Sequence, residues 1–431
     1  MRPTNVLVMT LALLLIIPSL GLAAASKATI TLWYPGGDIT AGVNDFVDPN
    51  LWAEFEAKNN VKVEAVALDY DTMKQKMFAA AAAKNIGDIL FVDDTFVAAF
   101  VKEGLLDPME DSKAKAWLAA VMPEIKLRSE YGKGKMWGYP QYGGDTYALT
   151  WNKEHFKEAG LDPDKPPKTW AEFREYAKKL TKRDAQGVIS RVGYAFRHVG
   201  AASGIVHKHF WALEGAGARL VVPPDALRGG KSAFNNEGGK AALQLILDMI
   251  DVDKSTSLSF PDPRAAFLKG IASMQYSELV SIKARQPKEA PDLNWGFGPP
   301  PVRKPGDVPV TLFGGFIFVV PKDAQHKALA WKALEWLNSP EKDYELCKKN
   351  EATPRYRANW EKEPFKSTPY FQTLKALYPG AVVFPINLGS DGVVEAVGAA
   401  IQKAWHHEAS VEAALAEAER LANKAIAEAA K

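Results

Sequence analysis

Acidic and aromatic side chains follow three predicted strands of this chain, at the point where each strand ends. They are Trp33 and Tyr34 after the first strand, Asp69 and Tyr70 after the second, and Asp93 and Asp94 after the third. In an open α/β sheet, residues just beyond the carboxyl ends of the strands face the crevice. Carboxylates bind hydroxyl groups through charge-assisted hydrogen bonds worth ~1.5–3 kcal/mol each, and aromatic rings cover flat C–H faces. This set therefore favours binding of a neutral polyhydroxylated compound.

The same side chains also have purely structural explanations. Asp69, Asp93 and Asp94 stand at the start of predicted helices, where a carboxylate caps free backbone amides. Trp33 is equally compatible with a place in the core, since buried aromatic residues are ordinary. The sequence leaves both explanations open at each of these positions.

Catalytic and metal-binding patterns are weak in the sequence. His198, His207 and His209 lack a carboxylate at a recognisable spacing, so no metal is predicted. No phosphate-binding glycine loop and no nucleophile elbow occurs, and we expect no cofactor. A carbohydrate-active hydrolase stays open as an alternative, because it needs two carboxyl groups about 5–10 Å apart. Its candidates are Asp93, Asp94, Asp145 and Glu278.

The elements that position these residues alternate between strand and helix. Strands are predicted over 28–33, 61–68 and 88–92, and each is followed by a helical pattern. This repetition implies a mostly parallel sheet with helices on its faces, so the predicted fold class is α/β. A second unit begins near Asp145, and 169–172 forms a capping box at the start of one of its helices.

The first 25 residues predict a cleavable signal peptide. Arg2 precedes an apolar run over 6–17, and the small residues at 23–25 match a cleavage site before Ser26. The run is short for a bilayer, which needs about 20 apolar residues. No cysteine follows the run, so we expect a periplasmic protein without a lipid anchor.

The overall composition is that of a folded protein and limits the partners. The chain has 431 residues, with 53 basic and 51 acidic side chains and a formal net charge of +2. Because phosphate contacts need an excess of basic residues, this balance argues against a nucleic-acid partner. The single cysteine, Cys347, excludes an internal disulfide.

Four parts of the chain carry a resemblance to a known family. In chain order they are GDIL at 87–90 with GLLDP at 104–108, YALTWNKEHF at 147–156 with PPKTWAEF at 166–173, FLKGIASM at 267–274, and GGF at 314–316 with LNSPE at 337–341. Together they resemble the family 1 extracellular solute-binding proteins, the maltose-binding-like sugar receptors of ABC importers. The resemblance spans most of the chain after the predicted signal peptide.

The resemblance implies a two-lobed periplasmic-binding-protein fold with a hinge and an interlobe cleft. The expected division is a signal peptide at 1–25, a lobe 1 of 26–140 with 303–352, and a lobe 2 of 141–302 with 353–431. Such a protein is a monomeric receptor and not an enzyme. It closes on a small carbohydrate ligand and delivers it to the transmembrane permease subunits of an ABC importer.

Crossings between the lobes are expected near 139–145, 299–310 and 352–356, and the resemblance adds candidate ligand contacts around them. These are Tyr142, Asp145, Trp211, Tyr276, Glu278, Phe313, Gly314, Gly315 and Arg355. Trp211 could equally belong to the core, and Arg355 to a structural ion pair. A receptor for an anionic solute such as a sugar phosphate is the alternative, but it needs several cations in the cleft. Only Arg355 and Arg197 are expected there, so a neutral sugar or oligosaccharide is favoured.

Overall fold

The computed structural model describes residues 27–36, 44–130, 135–143, 145–224 and 227–431. The predicted signal peptide lies outside these residues. Within them, no helix combines the length and the apolar character needed to cross a membrane.

The described strands and helices alternate over most of the chain. The strands, in chain order, are β1 (Ala28–Gly36), β2 (Val61–Asp69), β3 (Ile89–Asp93), β4 (Leu106–Asp107), β5 (Gly138–Pro140), β6 (Asp145–Asn152), β7 (Lys182–Arg183), β8 (Ile189–Ala195), β9 (Arg219–Val222), β10 (Lys231–Ala233), β11 (Ala272–Glu278), β12 (Trp295–Gly298), β13 (Thr311–Gly314), β14 (Phe316–Pro321) and β15 (Ala381–Val382). The α-helices are α1 (Pro49–Asn59), α2 (Tyr70–Ala82), α3 (Asp94–Lys102), α4 (Asp111–Ala120), α5 (Pro123–Ser129), α6 (Lys153–Glu158), α7 (Trp170–Leu180), α8 (Ala202–Gly215), α9 (Glu237–Asp251), α10 (Pro263–Leu268), α11 (Leu279–Glu289), α12 (Lys327–Leu337), α13 (Pro340–Asn350), α14 (Pro369–Leu377), α15 (Ser390–Trp405) and α16 (Val411–Ala430).

The first lobe is built on a sheet with the strand order β2-β1-β3-β14-β4, in which β5 also pairs with β14. β1 pairs in parallel with β2 and β3, whereas β14 runs antiparallel to β3. In β1, Ile30 and Leu32 are buried and alternate with more exposed neighbours, which is why this segment forms a strand with one face in the core. The observed architecture confirms the predicted α/β class.

The second lobe is built on a sheet with the order β15-β13-β6-β11-β8-β7, in which β12 also pairs with β6. β11 lies in its middle, antiparallel to β6 and parallel to β8. α8, α9, α15 and α16 share the core of this lobe around the buried Trp211 and Trp405. α9 follows the cap Asn236, whose side chain accepts hydrogen bonds from the amides of Gly238 and Gly239.

The chain changes sheets at points that agree in part with the expected crossings. β5 belongs to the first sheet and β6 to the second, so the chain changes sheets between Pro140 and Asp145, within the range expected for the first crossing. The second change occurs at Gly315 alone, between β13 and β14, and not over 299–310. The segment around Trp360, Phe371 and Tyr378 packs in the core of the first lobe, and the chain joins the second sheet only at β15.

Several predicted element boundaries differ from the structure. β1 continues to Gly36 because β2 goes on pairing with it, so Trp33 lies inside the strand and not beyond its end. Asp69, and not Asp71, is the residue that caps α2. α8 begins at Ala202, seven residues before the predicted start at His209. Thr169 caps α7 as predicted, since its hydroxyl accepts a hydrogen bond from the amide of Glu172 at 3.2 Å, but the Glu172 carboxylate accepts from the amide of Lys168 and not from that of Thr169, as a capping box requires.

Candidate functional site

Asp93 ends the central strand β3 of lobe 1 and lies at the edge that faces lobe 2. Its Oδ1 accepts hydrogen bonds from the amide of Thr95 at 2.9 Å and from the Thr95 hydroxyl at 2.6 Å, which caps α3. Its Oδ2 accepts a hydrogen bond from the Tyr70 hydroxyl at 2.8 Å. Burial and the neighbouring Asp93 raise the pKa of Tyr70, so its proton stays in this bond. Asp93 is therefore both a helix cap and part of a fixed polar pair.

Asp94 lies beside Asp93 and forms an ion pair with the buried Arg128. The Arg128 Nε lies 3.3 Å from Asp94 Oδ2, and its guanidinium also donates to the carbonyl oxygens of Gln141 and Phe316. The Asp94 amide donates to the carbonyl oxygen of Gly315 at 2.9 Å. Arg128 thus connects the acid at the sheet edge to two crossings between the lobes.

Glu278 ends the central strand β11 of lobe 2, the counterpart of Asp93 in lobe 1. It forms an ion pair with Arg264 at 2.6 Å and a second one with the buried Lys208, which also donates to Ser277 at 2.8 Å. Burial opposes ionisation of Glu278, but the two cations outweigh it and hold its pKa well below the usual range. Burial lowers the pKa of Lys208 to about 8, against the opposing effect of Glu278. Glu278 is therefore ionised and fully engaged at neutral pH.

His207 and Arg197 complete the lobe 2 side of the cleft. Burial lowers the pKa of His207 to about 4, and Asp93 of lobe 1 opposes this shift from across the cleft. The His207 ring also packs against Tyr147 and Phe384, with ring centroids 5.9 and 4.6 Å apart. His207 is therefore neutral at pH 7 and lies within electrostatic range of the lobe 1 acid.

A cavity of about 220 Å³ lies between the two lobes at this place. Lobe 1 lines it with Tyr70, Thr95 and Phe96, and lobe 2 lines it with Ser203 and Phe384, among others. The rings of Tyr70 and Phe96 are stacked, with centroids 6.1 Å apart. A smaller cavity next to it is lined by Asp94, Arg128 and again Phe384. The cleft therefore offers aromatic faces together with carboxylate, hydroxyl and guanidinium groups.

An ion pair between Lys74 of α2 and Asp391 of α15 crosses from one lobe to the other beside the cavity. The same two residues also line a larger cavity of about 670 Å³ between α2, α3, α15 and α16. That larger cavity is lined by alanine, glycine and leucine and by five charged side chains, but it lacks the hydroxyl groups that Tyr70, Thr95, Ser203 and Ser390 bring to the inner one. The inner cavity, where groups that can bind hydroxyls converge, is the better candidate for a ligand site.

The structure brings only part of the predicted set to this cleft. Asp93, Asp94 and Glu278 lie on its two walls, and Gly314 lies close enough that an added Cβ would be 3.7 Å from Asp94 Oδ2. Gly315 bonds to Asp94 through its carbonyl group, and Phe313 is buried beneath Arg128, whose guanidinium carbon lies 6.0 Å from the ring centroid. The backbone of Asp145 pairs with Gly314 in the second sheet.

Other predicted residues have partners within one lobe. Trp33 contacts Gly87 at the far end of β3, because β1 extends three residues beyond it. Tyr34 is half-buried against the lobe 1 core, and Tyr142, at a φ of 50°, packs against Phe46 in the same core. Asp69 is exposed and caps α2, where it accepts hydrogen bonds from the amide and hydroxyl of Thr72.

Two aromatic candidates and Arg355 are engaged in buried structure. Trp211 is 2% exposed and packs edge-on against Phe173 in lobe 2. The Tyr276 hydroxyl accepts a hydrogen bond from the amide of Leu312 at 2.9 Å, which joins β11 to β13. Arg355 forms a buried ion pair with Asp343 at 2.7 Å in lobe 1.

Sequence reasoning missed Arg128, Lys208, Arg264 and Ser203, and treated His207 only as a possible metal ligand. The pairs that define their role join residues far apart in the chain, such as Lys208 with Glu278. The sequence does carry one signal, because Lys208 is a charged residue within an otherwise apolar stretch of α8. A buried lysine needs a partner, and this requirement points to an acid facing that helix. In the described part of the chain, no three histidine, cysteine or acidic side chains are grouped so that they could hold a metal.

The fold and the cleft define a two-lobed ligand-binding protein, and the comparison with known families is consistent with this class. Residues 40–344 match the family of bacterial extracellular solute-binding proteins, and the chain belongs to it. The resemblance noted in the sequence is thereby confirmed.

Solved structures similar to this chain have the same fold. An ABC transporter solute-binding protein from Thermotoga lettingae, bound with alpha-D-tagatose, has a TM-score of 0.80 at 24% identity and covers 93% of this chain and 100% of its own. CpMnBP1 with mannotriose bound has a TM-score of 0.76 at 25% identity, with 92% and 100% covered. The GacH receptor of Streptomyces glaucescens, solved unliganded and with acarbose, has a TM-score of 0.77 at 20% identity, with 93% and 98% covered.

Curated relatives match over shorter stretches. The sn-glycerol-3-phosphate-binding periplasmic protein UgpB of Escherichia coli K12 is 30% identical over 189 residues, which is 41% of each chain. A probable amino-acid ABC transporter periplasmic-binding protein of Sinorhizobium fredii is 24% identical over 305 residues, 67% of this chain and 64% of the relative. The chain thus matches between two fifths and two thirds of the length of these relatives.

Proposed function

We propose that this protein is the periplasmic receptor of an ABC importer and that it binds a sugar or short oligosaccharide in the cleft between its lobes. The observation that carries the proposal is the inner cavity, where Tyr70 and Phe96 of lobe 1 face Ser203 and Phe384 of lobe 2, with Asp93 bonded to the Tyr70 hydroxyl behind this wall. Carboxylate and hydroxyl groups beside aromatic faces are the groups that bind polyhydroxylated compounds. The sugars named with the similar structures support the same class of ligand.

The carboxyl groups of the cleft are better suited to binding a ligand than to hydrolysing it. A glycoside hydrolase needs one carboxylic acid with a raised pKa to protonate the leaving group. Glu278 has its pKa lowered by Lys208 and Arg264, and Asp94 is held by Arg128. These acids are therefore placed as fixed hydrogen-bond acceptors, and a hydrolase is the less favoured alternative.

Delivery to a membrane complex completes the proposal. The family consists of extracellular proteins, and we propose that this member is exported by a cleavable signal peptide without a lipid anchor, acts as a monomer and presents the closed lobes to the permease subunits.

A second candidate ligand is a charged sugar derivative, because relatives named for binding sn-glycerol-3-phosphate are 30% identical over part of the chain. Besides the two arginines expected from the sequence, Arg128 pairs with Asp94 in the cleft, and Lys208 and Arg264 pair with Glu278 at the end of β11.

A thermal-shift screen against D-tagatose, mannotriose and acarbose, extended to other neutral sugars, tests the class of ligand. A true ligand at about 100 times its dissociation constant should stabilise the folded state by about 2.7 kcal/mol.

Asp93→Asn should weaken binding roughly 10- to 100-fold, because it removes a charged acceptor, while Asn still caps α3.

The matched control is Asp162→Asn, which changes an exposed acid of a lobe 2 loop paired with Lys165. It should leave the affinity unchanged. If no sugar or sugar derivative raises the unfolding temperature, or if both variants weaken binding equally, the proposed site is wrong.

A further inference from the structure

Arg197 lies in the loop between β8 and α8 and is closely packed by two glycines. Its Nε donates a hydrogen bond to the carbonyl oxygen of Val199 at 3.2 Å. A Cβ added to Gly200 would lie 2.8 Å from Arg197 Nη2, and one added to Gly204 would lie 2.6 Å from its Cζ. These short distances show that the guanidinium lies directly against the backbone of the two glycines. The side chain is thus folded back over the loop and the first turn of α8.

Arg197 is half-buried beside the inner cavity, because its guanidinium packs against Gly200 and Gly204, which flank the cavity-lining residues Ala201 and Ser203. Burial raises the pKa of Tyr70 in lobe 1 and lowers those of His207 and Lys208 in lobe 2, and the charge of Arg197 has a smaller, lowering effect on all three pKa values. Ser203, in the first turn of the helix that follows, lines the same cavity. The guanidinium therefore lies within electrostatic range of groups on both walls of the cleft.

The other cations of the cleft already have carboxylate partners. Arg128 pairs with Asp94, and Lys208 and Arg264 share the single carboxylate of Glu278. Among the residues that the structure describes, no carboxylate forms an ion pair with Arg197. Asp93, across the cleft, accepts hydrogen bonds from Tyr70 and Thr95 and forms no ion pair with Arg197 in the described structure. Glu395 also borders the cavity but is an exposed residue.

We propose that the ligand carries an acid group, a carboxylate or a phosphate, and that Arg197 binds this group. Lys208 and Arg264 share the carboxylate of Glu278, and in the described part of the chain Arg197 forms no ion pair, so a neutral ligand would leave this positive charge in a closing cleft without a partner, which is costly. A guanidinium offers two parallel N–H donors that match carboxylate and phosphate oxygens. The hydroxyl groups of the same ligand remain for Asp93 and Tyr70. This inference rests on the proposed function and narrows the ligand to sugar acids or sugar phosphates.

Calorimetric titration with matched sugars tests the proposal. The probes are glucose, glucuronate and glucose 6-phosphate, the corresponding mannose series, glycerol 3-phosphate, and inorganic phosphate alone. An acid member of a series should bind more tightly than its neutral parent, and the two acid types show whether a carboxylate or a phosphate is preferred. Arg197→Gln should weaken binding of the acid roughly 10- to 100-fold, since a charge-assisted hydrogen bond is lost. Arg197→Lys should keep the preference for the acid at lower affinity, because the charge stays but the two-pronged donor is lost.

Arg183→Gln is the matched control, because Arg183 is a lobe 2 arginine that also donates to backbone carbonyl oxygens, those of Gly187 and Lys254. It removes the same charge from an exposed position and should not change binding. Circular dichroism confirms that each variant folds. Neutral sugars that bind as tightly as their acids, or acid binding that Arg197→Gln leaves unchanged, would overturn the inference while leaving the receptor function intact. If none of the sugars, acids or phosphates binds, the proposed function fails as well.

Discussion

His207 and His209 lie two positions apart on α8 and have opposite surroundings. His207 faces the cleft, whereas His209 is buried in the lobe 2 core, where its ring packs against Trp405 and its Nε2 lies 2.9 Å from the Ala242 carbonyl oxygen. Burial lowers the pKa of His209 to about 4, although the bond to Ala242 opposes this. One helix thus supplies a neutral imidazole to the site and another to the core.

The buried imidazole of His209 predicts a dependence of stability on pH. Between pH 6.5 and about pH 4, the unfolded chain binds a proton that the folded His209 does not. The free energy of unfolding should therefore rise with pH across this window and fall on acidification. His155, His198 and His207 have pKa values lowered to about 4 as well and add to the same slope.

Urea unfolding at a series of pH values measures this slope. His209→Gln should reduce the number of protons taken up on unfolding near pH 5 by about one. The comparison uses the slope and not the absolute stability, so a loss of packing in the variant does not obscure it. An unchanged slope would mean that His209 is protonated in the folded state.

Individual site residues could be predicted from the sequence, but their partners could not. Asp93 and Asp94 were found because they follow a buried strand, a position that faces the crevice in this class of fold. Their bonds to Tyr70 and Arg128 depend on how α2 and α5 lie against the sheet, and no local pattern records this. The two explanations for Arg355 could not be separated from the sequence, because Asp343, the acid that pairs with it, lies on a helix whose sequence does not show that this side chain points inward.

At the scale of elements, Asp69 and Asp93 are both aspartates that cap a helix, but their surroundings differ. Each ends a strand of lobe 1 and caps the next helix, but only Asp93 is buried and bonded to Tyr70. Asp69→Ala should therefore cost about 1 kcal/mol of folding free energy, the typical value for a lost cap, without weakening ligand binding.

Ser410→Ala is the control for this prediction, because Ser410 caps α16 through the amide of Ala413, far from the cleft. Chemical unfolding should show similar losses for the two variants, and calorimetry should show unchanged affinities. A weaker affinity in Asp69→Ala alone would restore Asp69 as a ligand contact, as the sequence suggested.

Helices with polar caps and one apolar face were predictable, whereas buried ones were not. α7, α9 and α16 begin after Thr169, Asn236 and Ser410, and each has an exposed polar face. α15 is buried along most of its length and has no side-chain cap. Its sequence therefore shows neither a capping residue that marks the first turn nor a clear alternation of an apolar and a polar face.

At the scale of the whole molecule, the lobes also meet outside the ligand cavity. Lys74 and Asp391 form an ion pair across the lobes, and Leu388 and Ala429 pack into an apolar cluster of lobe 1 with Val97. These contacts can exist only when the lobes are close together. They therefore contribute to the closed arrangement in addition to any bound ligand.

Weakening this contact should favour opening. Asp391→Asn should lower ligand affinity by a small factor, up to about fivefold, because a partly exposed ion pair contributes about 0–1 kcal/mol. Leu388→Ala should have a larger effect, since it removes buried apolar surface. Solution scattering in the presence of the ligand should show an increased radius of gyration in both variants.

Glu417→Gln provides the control, because it breaks an ion pair with Lys403 that lies within lobe 2. It should change neither the radius of gyration nor the affinity. A response equal to that of Asp391→Asn would show that the measured change is not caused by opening of the lobes.

Gly315 joins β13 of one lobe to β14 of the other, and its backbone has a φ of 119°, which favours glycine. The carbonyl group of this residue also accepts the hydrogen bond from the Asp94 amide. A rotation of the lobes about this peptide must consequently displace the anchor of an acid in the cleft. Ligand dissociation and opening of the lobes would then occur in one step. An open state that keeps all of its contacts to the ligand would not be populated.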